Sequence, residues 1–183
     1  MTATPELDSA LVVAGHGRHV LVETPDGQRL ICHPRGKKSQ AVVGDRVLWQ
    51  RSQDEGTIEK IEPRRNLFYR QDEIRTKSFA ANLDQVLILL AADPEFSDMQ
   101  LTRALVAAEA AGIPALIVLN KSDLAEPFAR AWARLAPYRH MDYTVLPLRL
   151  KGKQSTAQTT DATTTDALTT LKEQLHHKTT LVL

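Results

Sequence analysis

Apolar and polar positions alternate in short stretches over the first third of the chain, then give way to unbroken apolar runs. Residues 10–14, 19–24, 29–33, 46–50 and 57–61 are β-prone runs. Between them lie Gly15-His16-Gly17, Pro25-Asp26-Gly27, Pro34-Arg35-Gly36 and Gly44-Asp45. Pro fixes φ and Gly tolerates positive φ, so these clusters predict turns. Short strands at this density predict a small closed or half-closed barrel over residues 10–62, either OB-like or SH3-like, because periodicity does not fix topology.

Residues 63–84 are polar, with Leu67, Phe68 and Tyr69 as an apolar anchor, and read as a connector. From residue 85 the pattern changes. Residues 86–92, VLILLAA, form a continuous apolar run of strand length. Residues 98–111 place Leu101, Leu105, Ala108 and Ala111 near helical spacing, and Gly112 follows as a stop. Residues 115–119 are a second apolar run, and 125–136 an amphipathic helix with Phe128, Trp132 and Leu135 along one side. Residues 143–148 are a third strand. Unbroken apolar strands alternating with helices predict a parallel sheet covered on both faces. In the stretch 154–170, 8 of 17 residues are Thr, which predicts a loop followed by a helix from about Thr164–Asp166 carrying Leu168, Leu171 and Leu175. Residues 178–183, KTTLVL, are a final β-type run. A buried parallel strand normally leads onward, so the expectation is a chain truncated at its C-terminus.

Composition narrows the classes. The 183 residues are 43% hydrophobic and 25% charged, with 23 Lys+Arg against 22 Asp+Glu. That is globular composition without the charge excess of a general polyanion binder. No apolar run reaches the roughly 18 residues of a membrane-spanning helix, and the N-terminus is not that of a signal peptide. The single cysteine, Cys32, allows no internal disulfide, suits a reducing compartment such as the cytoplasm, and falls where a core thiol is expected.

The segment richest in chemistry is Asn120-Lys121-Ser122-Asp123, directly after the second apolar run. In open parallel sheets ligands gather beyond the C-terminal strand ends. A carboxylate at Asp123 can accept from guanine N1–H and the exocyclic amine, a pattern adenine does not offer. The Asn120 amide can bridge the base to neighbouring loops, the Lys121 stem can lie along the base plane, and Ser122 can cap the following helix. The competing reading is an ordinary polar strand-to-helix turn. Asp93 and Glu95, after the first strand of this half, are expected to form a turn around Pro94.

The second half resembles a GTPase domain, with NKSD as its guanine-specificity motif. No GxxxxGK[S/T] phosphate loop precedes it: Gly15-His16-Gly17-Arg18 is too short, and Gly36-Lys37-Lys38-Ser39 has the wrong order. A circular permutation accounts for this. The chain is similar, from about residue 10 to 183, to the ribosome small-subunit-dependent GTPase A family of bacteria. The matching stretches are HGRHVLVE, HPRGKK, VVGDRV, IEPRRNLFYR, AANLDQVLILLAADPEFS and AAEAAGIPALIVLNKSDL.

The resemblance implies an OB-fold at 10–62, a connector at 63–84 and, at 85–183, the N-terminal portion of a circularly permuted P-loop GTPase domain. It implies a GTP hydrolase that assists late maturation of the small (30S) ribosomal subunit, a cytoplasmic monomer meeting that subunit and its 16S rRNA and no membrane. GTP or GDP, Mg²⁺ and a structural Zn²⁺ belong to the full-length parent. The phosphate loop, switches and zinc ligands are expected beyond this chain, which carries no catalytic residue of its own and is expected to be inactive alone. The base site falls on Asn120, Lys121, Ser122 and Asp123. After residues 143–148 the family often shows a Ser-Ala pair; here Leu148-Arg149-Leu150-Lys151-Gly152 stands instead.

For RNA, the basic candidates are Arg35, Lys37 and Lys38 in one turn, with Arg64 and Arg65 in the connector. The first 80 residues carry 13 basic and 11 acidic groups, so clustering matters more than the sum. A nonenzymatic RNA- or ribosome-binding module with an α/β scaffold is the alternative. His16, His19 and His33 fall in separate turns or strands and predict no metal triad.

Overall fold

The structure, a computed structural model, describes residues 7–36, 41–52, 55–71, 74, 76–150 and 162–183. Lys37, Lys38, Asp161 and the first part of the Thr-rich stretch lie outside the described residues. Two compact units divide the chain, Met1–Leu83 and Asp84–Leu183.

In the first unit, β1 (Asp8–His16), β2 (His19–Glu23), β3 (Arg29–Pro34), β4 (Arg46–Ser52) and β5 (Glu55–Ile61) close into a barrel of order β1-β2-β3-β5-β4. All pairings are antiparallel except β3 with β5, so the closed five-stranded barrel is OB-like. Alternation points Val12, Val20, Val22, Cys32, Val47, Trp49 and Ile58 into one core. Cys32 is fully buried, and burial pushes its thiol up to about 11. Gly56 sits opposite Cys32, where a Cβ would lie 2.5 Å from the Cys32 sulfur; the core has no room for a side chain there.

The connector holds more structure than its polarity suggested. Residues Leu67–Gln71 (β6) and Thr76–Ala81 (β7) pair antiparallel as a two-stranded ribbon. Its root is bound to the barrel's 42–45 turn. Ala81 N–H donates to Val43 O at 2.9 Å, and Asn82 Nδ2 donates to Gly44 O at 2.9 Å. Gly44 has φ +90° and lies so close to Ala81 that a Cβ would stand 2.1 Å from its carbonyl oxygen.

Asp45, fully buried, is the centre of this junction. Arg64 Nε donates to its Oδ1 at 2.7 Å and Arg64 Nη2 to its Oδ2 at 2.8 Å, while Val42 N–H donates to Oδ2 at 2.8 Å. The Asp45 carboxylate raises the Arg64 guanidinium above its already high range. Arg65 Nη2 donates to Asn82 O at 2.9 Å, and Arg65 N–H to Asn82 Oδ1 at 2.8 Å. Of the two connector arginines named as RNA candidates, Arg64 thus fastens the connector to the barrel turn, and Arg65 ties the two ends of the connector together through Asn82.

In the second unit, β8 (Gln85–Ala91), β9 (Ala115–Asn120), β10 (Thr144–Leu148) and β11 (Thr180–Val182) form a parallel sheet of order β10-β9-β8-β11. Helix α1 (Asp98–Ala110) packs on β8 and β9, with Leu101, Leu105 and Ala108 buried. Helix α4 (Ala162–Leu175) starts two residues before the expected stretch. Its Ala167, Leu171 and Leu175 cover Leu87, Leu116, Val118 and Leu148. Because strand residues alternate, Val86, Ile88, Ile117 and Leu119 face the opposite side, and β9 is buried on both faces.

The expected helix over 125–136 is two: α2 (Ala125–Arg134) and α3 (Ala136–His140). Pro137 explains the break, since its ring excludes the carbonyl four residues back and it has no N–H to continue the ladder. Gly112, at φ +63°, ends α1 as expected.

Arg64→Ala should strand a buried carboxylate and lower stability by about 3 kcal/mol or more, read as a fall in the urea midpoint. Arg35→Ala, which breaks the exposed 2.7 Å pair with Glu59, should change it by less than about 1 kcal/mol.

Candidate nucleotide-base site

Parallel register brings three strand ends to one level. Ala91 pairs with Asn120, and Asn120 with Leu148. The NKSD turn leaves β9 at this mouth. Lys121 takes φ +69°, a left-handed conformation that non-glycine residues avoid and that the surrounding bonds must hold. Those bonds are specific. Ser122 N–H donates to Leu148 O at 3.0 Å, and Leu124 N–H to Lys121 O at 3.1 Å. Asn120 Oδ1 accepts from Leu150 N–H at 3.1 Å, tying the loop after β10 to the end of β9. Lys121 Nζ donates to the carbonyl oxygen of Asp93, so its stem crosses toward the turn after β8.

That turn is itself clamped. Arg134 Nη2 donates to Phe96 O at 2.9 Å and to Asp98 Oδ2 at 2.8 Å, its Nη1 lies 3.5 Å from Glu95 Oε2, and its guanidinium stacks 4.3 Å from the Phe96 ring centroid. Asp93 and Glu95 therefore serve the turn around Pro94, as their sequence context suggested.

Asp123 is exposed, and its carboxylate has no hydrogen-bond partner among the described residues. Ser122 does not cap α2: the N-cap is Leu124, and no side chain bonds the free N–H groups there. The hydroxyl was a plausible cap by composition, but the turn runs one residue further before the helix begins. Leu150 N–H, in the loop where the family's Ser-Ala pair was sought, is taken by Asn120. Lys151 and Gly152 lie outside the described residues.

The basic candidates fall elsewhere, in the first unit. Arg35 follows β3 and pairs with Glu59; Arg64 and Arg65 lie at the connector root. Three histidines that sequence spacing kept apart come together. His16 and His19 have ring centroids 5.4 Å apart, and His19 and His33 5.8 Å apart. Only strand pairing, which residue spacing does not reveal, could have shown this. No group of three or more His, Cys, Asp or Glu among the described residues is placed to hold a metal ion. No described helix is long and apolar enough to cross a membrane.

An OB-like barrel followed by part of a permuted P-loop GTPase sheet defines the class: a GTPase-type protein with an N-terminal β-barrel. The model of the family described as RsgA GTPase matches residues 61–183, and the chain belongs to that family. It is 74% identical over 150 residues to the small ribosomal subunit biogenesis GTPase RsgA of Variovorax paradoxus, covering 82% of this chain and 47% of that protein. It is 47% identical over 175 residues to the protein of the same name from Paraburkholderia xenovorans, covering 94% of this chain and 52% of that one. Among solved structures it resembles YjeQ from Thermotoga maritima, with TM-score 0.59, 28% identity, and 79% of this chain and 52% of that chain covered. The chain spans about half the length of the curated relatives it matches.

Asn120→Ala should remove the acceptor for Leu150 N–H, cost about 1 kcal/mol, and speed hydrogen exchange at the Leu150 amide while that of the β9 amides stays slow.

Proposed function

We propose that this chain supplies the guanine-specificity site and the RNA-facing barrel of a ribosome-associated GTPase that assists late maturation of the small (30S) ribosomal subunit. The observation that carries the reading is the exposed carboxylate of Asp123, without a hydrogen-bond partner among the described residues, at the mouth of the parallel sheet beside Lys121, whose amine reaches the Asp93 carbonyl. A carboxylate accepting two parallel N–H bonds selects guanine, because adenine would leave its lone pairs dry and unpaired. Lys121 supplies a surface for the base plane, and Asn120 holds the loop on the far side. Ser122 takes part through its backbone, which closes the turn against β10.

Hydrolysis belongs to the full-length protein. Water attacks the γ-phosphate in line, and a phosphate loop, its lysine and Mg²⁺ supply the positive field when present. These 183 residues contain no GxxxxGK[S/T] sequence. The Mg²⁺ site, like the structural Zn²⁺ site, is assigned to other parts of the parent. GTP or GDP is the ligand of the whole, cytoplasmic and monomeric, and the small subunit with its 16S rRNA is the partner.

On the RNA side, Arg35, which follows β3, and the neighbouring Lys37 and Lys38 in the sequence are the proposed phosphate contacts. Arg64 and Arg65 act in this reading chiefly by fixing that surface, since hydrogen bonds to Asp45 and Asn82 already engage their guanidinium groups. Residues 63–84 then transmit nucleotide state to the barrel, which requires a real difference in ribosomal affinity between GTP and GDP forms. A second reading, a nonenzymatic RNA-binding module with an α/β scaffold, is favoured for the isolated chain by its lack of a phosphate-loop sequence.

In the full-length protein Asp123→Asn should cost about 1–3 kcal/mol of guanine discrimination, measured by competition between GTP and ATP; unchanged selectivity would refute the Asp123 assignment. The 183-residue chain by itself should neither hydrolyse GTP nor bind it at micromolar concentration, because phosphate contacts dominate nucleotide affinity. Isothermal titration tests this directly, and micromolar binding would defeat the expectation.

A further inference from the structure

Three imidazoles stand in one row across the barrel. His16 and His19 are cross-strand partners at the β1–β2 turn. Val20 pairs with Cys32, so one step outward along the antiparallel ladder His19 lies beside His33. Val20 and Cys32 point into the core, which sends His19 and His33 to the outer face. The charged groups around the row are few. The turn between His16 and His19 carries Arg18, which is exposed. From β5, Glu55 Oε2 lies 2.9 Å from His33 Nε2. Beyond β3, Arg35 is held by Glu59 of β5. The Glu23–Arg29 pair sits at the opposite end of the β2–β3 ladder, and β4 contributes Arg51, opposite Gly56.

We propose that the His16–His19–His33 row is a pH-tuned contact for RNA phosphate, binding more tightly as the face gains protons. The inference rests on the RNA-binding reading of the barrel and adds its regulation. Imidazole is the side chain whose charge ordinarily changes between about pH 8 and pH 5. A phosphate chain laid along the row sets negative charge beside the imidazoles and favours their charged form. By linkage, a group that binds its proton more tightly in the complex strengthens the complex as pH falls, and weakens it as pH rises. Arg18 and Arg35 flank the row with charge that does not change in this range, so binding persists above it at a lower level.

The test is fluorescence anisotropy with a labelled single-stranded RNA of mixed sequence, at pH 5.8, 7.0 and 8.0 and constant ionic strength. The intact 183-residue chain is compared with its H16Q/H19Q/H33Q variant and with H176Q/H177Q as the control for histidines outside the barrel. Circular dichroism checks that each is folded. The expected result is affinity roughly five-fold or more higher at pH 5.8 than at pH 8.0, because one proton held a pK unit more tightly in the complex gives at most about a factor of ten and this pH span captures most of it. The H16Q/H19Q/H33Q variant should bind with little pH dependence, and H176Q/H177Q should behave like the parent. RNA binding that is equally strong at every pH would overturn the role of the row and leave the RNA reading standing. A pH dependence that survives in H16Q/H19Q/H33Q would overturn it too. Absence of RNA binding at all three pH values would overturn both.

Discussion

Parallel backbone pairing among β8, β9 and β10 decides where the chemistry of the second unit can lie. It brings Ala91, Asn120 and Leu148 level, although 57 positions separate the first from the last. Once these ends align, the turn after β9 can bond backward to β10 through Ser122 and sideways to the turn after β8 through Lys121. The apolar interior of the strands keeps that alignment from slipping. A shift of one residue would exchange Ile117 and Leu119 with Leu116 and Val118 between the two buried faces and force both packing layers to repack around side chains of different shape. The Asn120–Asp123 turn therefore owes its geometry to Ile117 and Leu119 just upstream.

The first unit rests on a different kind of constraint, a buried charge. Asp45 is fully buried, and its carboxylate is held by two nitrogens of Arg64 and by the Val42 amide. Such a pair is weak evidence of net stability, because burying both charges costs nearly what their attraction returns. Its stronger consequence is positional. The same turn receives bonds from Ala81 and Asn82, and Gly44 permits the close approach. Barrel and ribbon root are thus joined by contacts with strict geometry.

How much of this was legible in the sequence depended on whether the signal was local. Barrel strands, the β9 run and the NKSD turn carried their own periodicity and turn chemistry, and their bounds were recovered to within about three residues. The OB-like topology came from family resemblance, since alternation alone left an SH3-like barrel open. The β6–β7 ribbon was missed because only Phe68 in β6 is buried, so no apolar alternation marked it. The break at Leu135 was missed because apolar spacing continues through it, although Pro137 gave a usable warning. Asp45 with Arg64, and the histidine row, depend on pairing between distant segments. Residue types alone told that Arg64 was basic, not that its partner lay 19 positions away in a turn.

The two aspartates show how a single side-chain type can be assigned opposite roles from its surroundings. Asp45 is dry and already saturated with donors, so a ligand could reach it only by breaking the junction. Asp123 is exposed and has no hydrogen-bond partner among the described residues, which leaves both oxygens available. Availability is not yet selectivity: water serves a carboxylate well, and a ligand must displace that water and replace its bonds. Guanine can do so with two donors on one edge, whereas adenine would remove the water and return no matching pair. Discrimination at such a site comes less from attraction to the right base than from the desolvation that the wrong base leaves unrepaid. That logic requires the base to be held close enough to exclude water, the task that the proposed site gives to Lys121 and the Asn120-tethered loop.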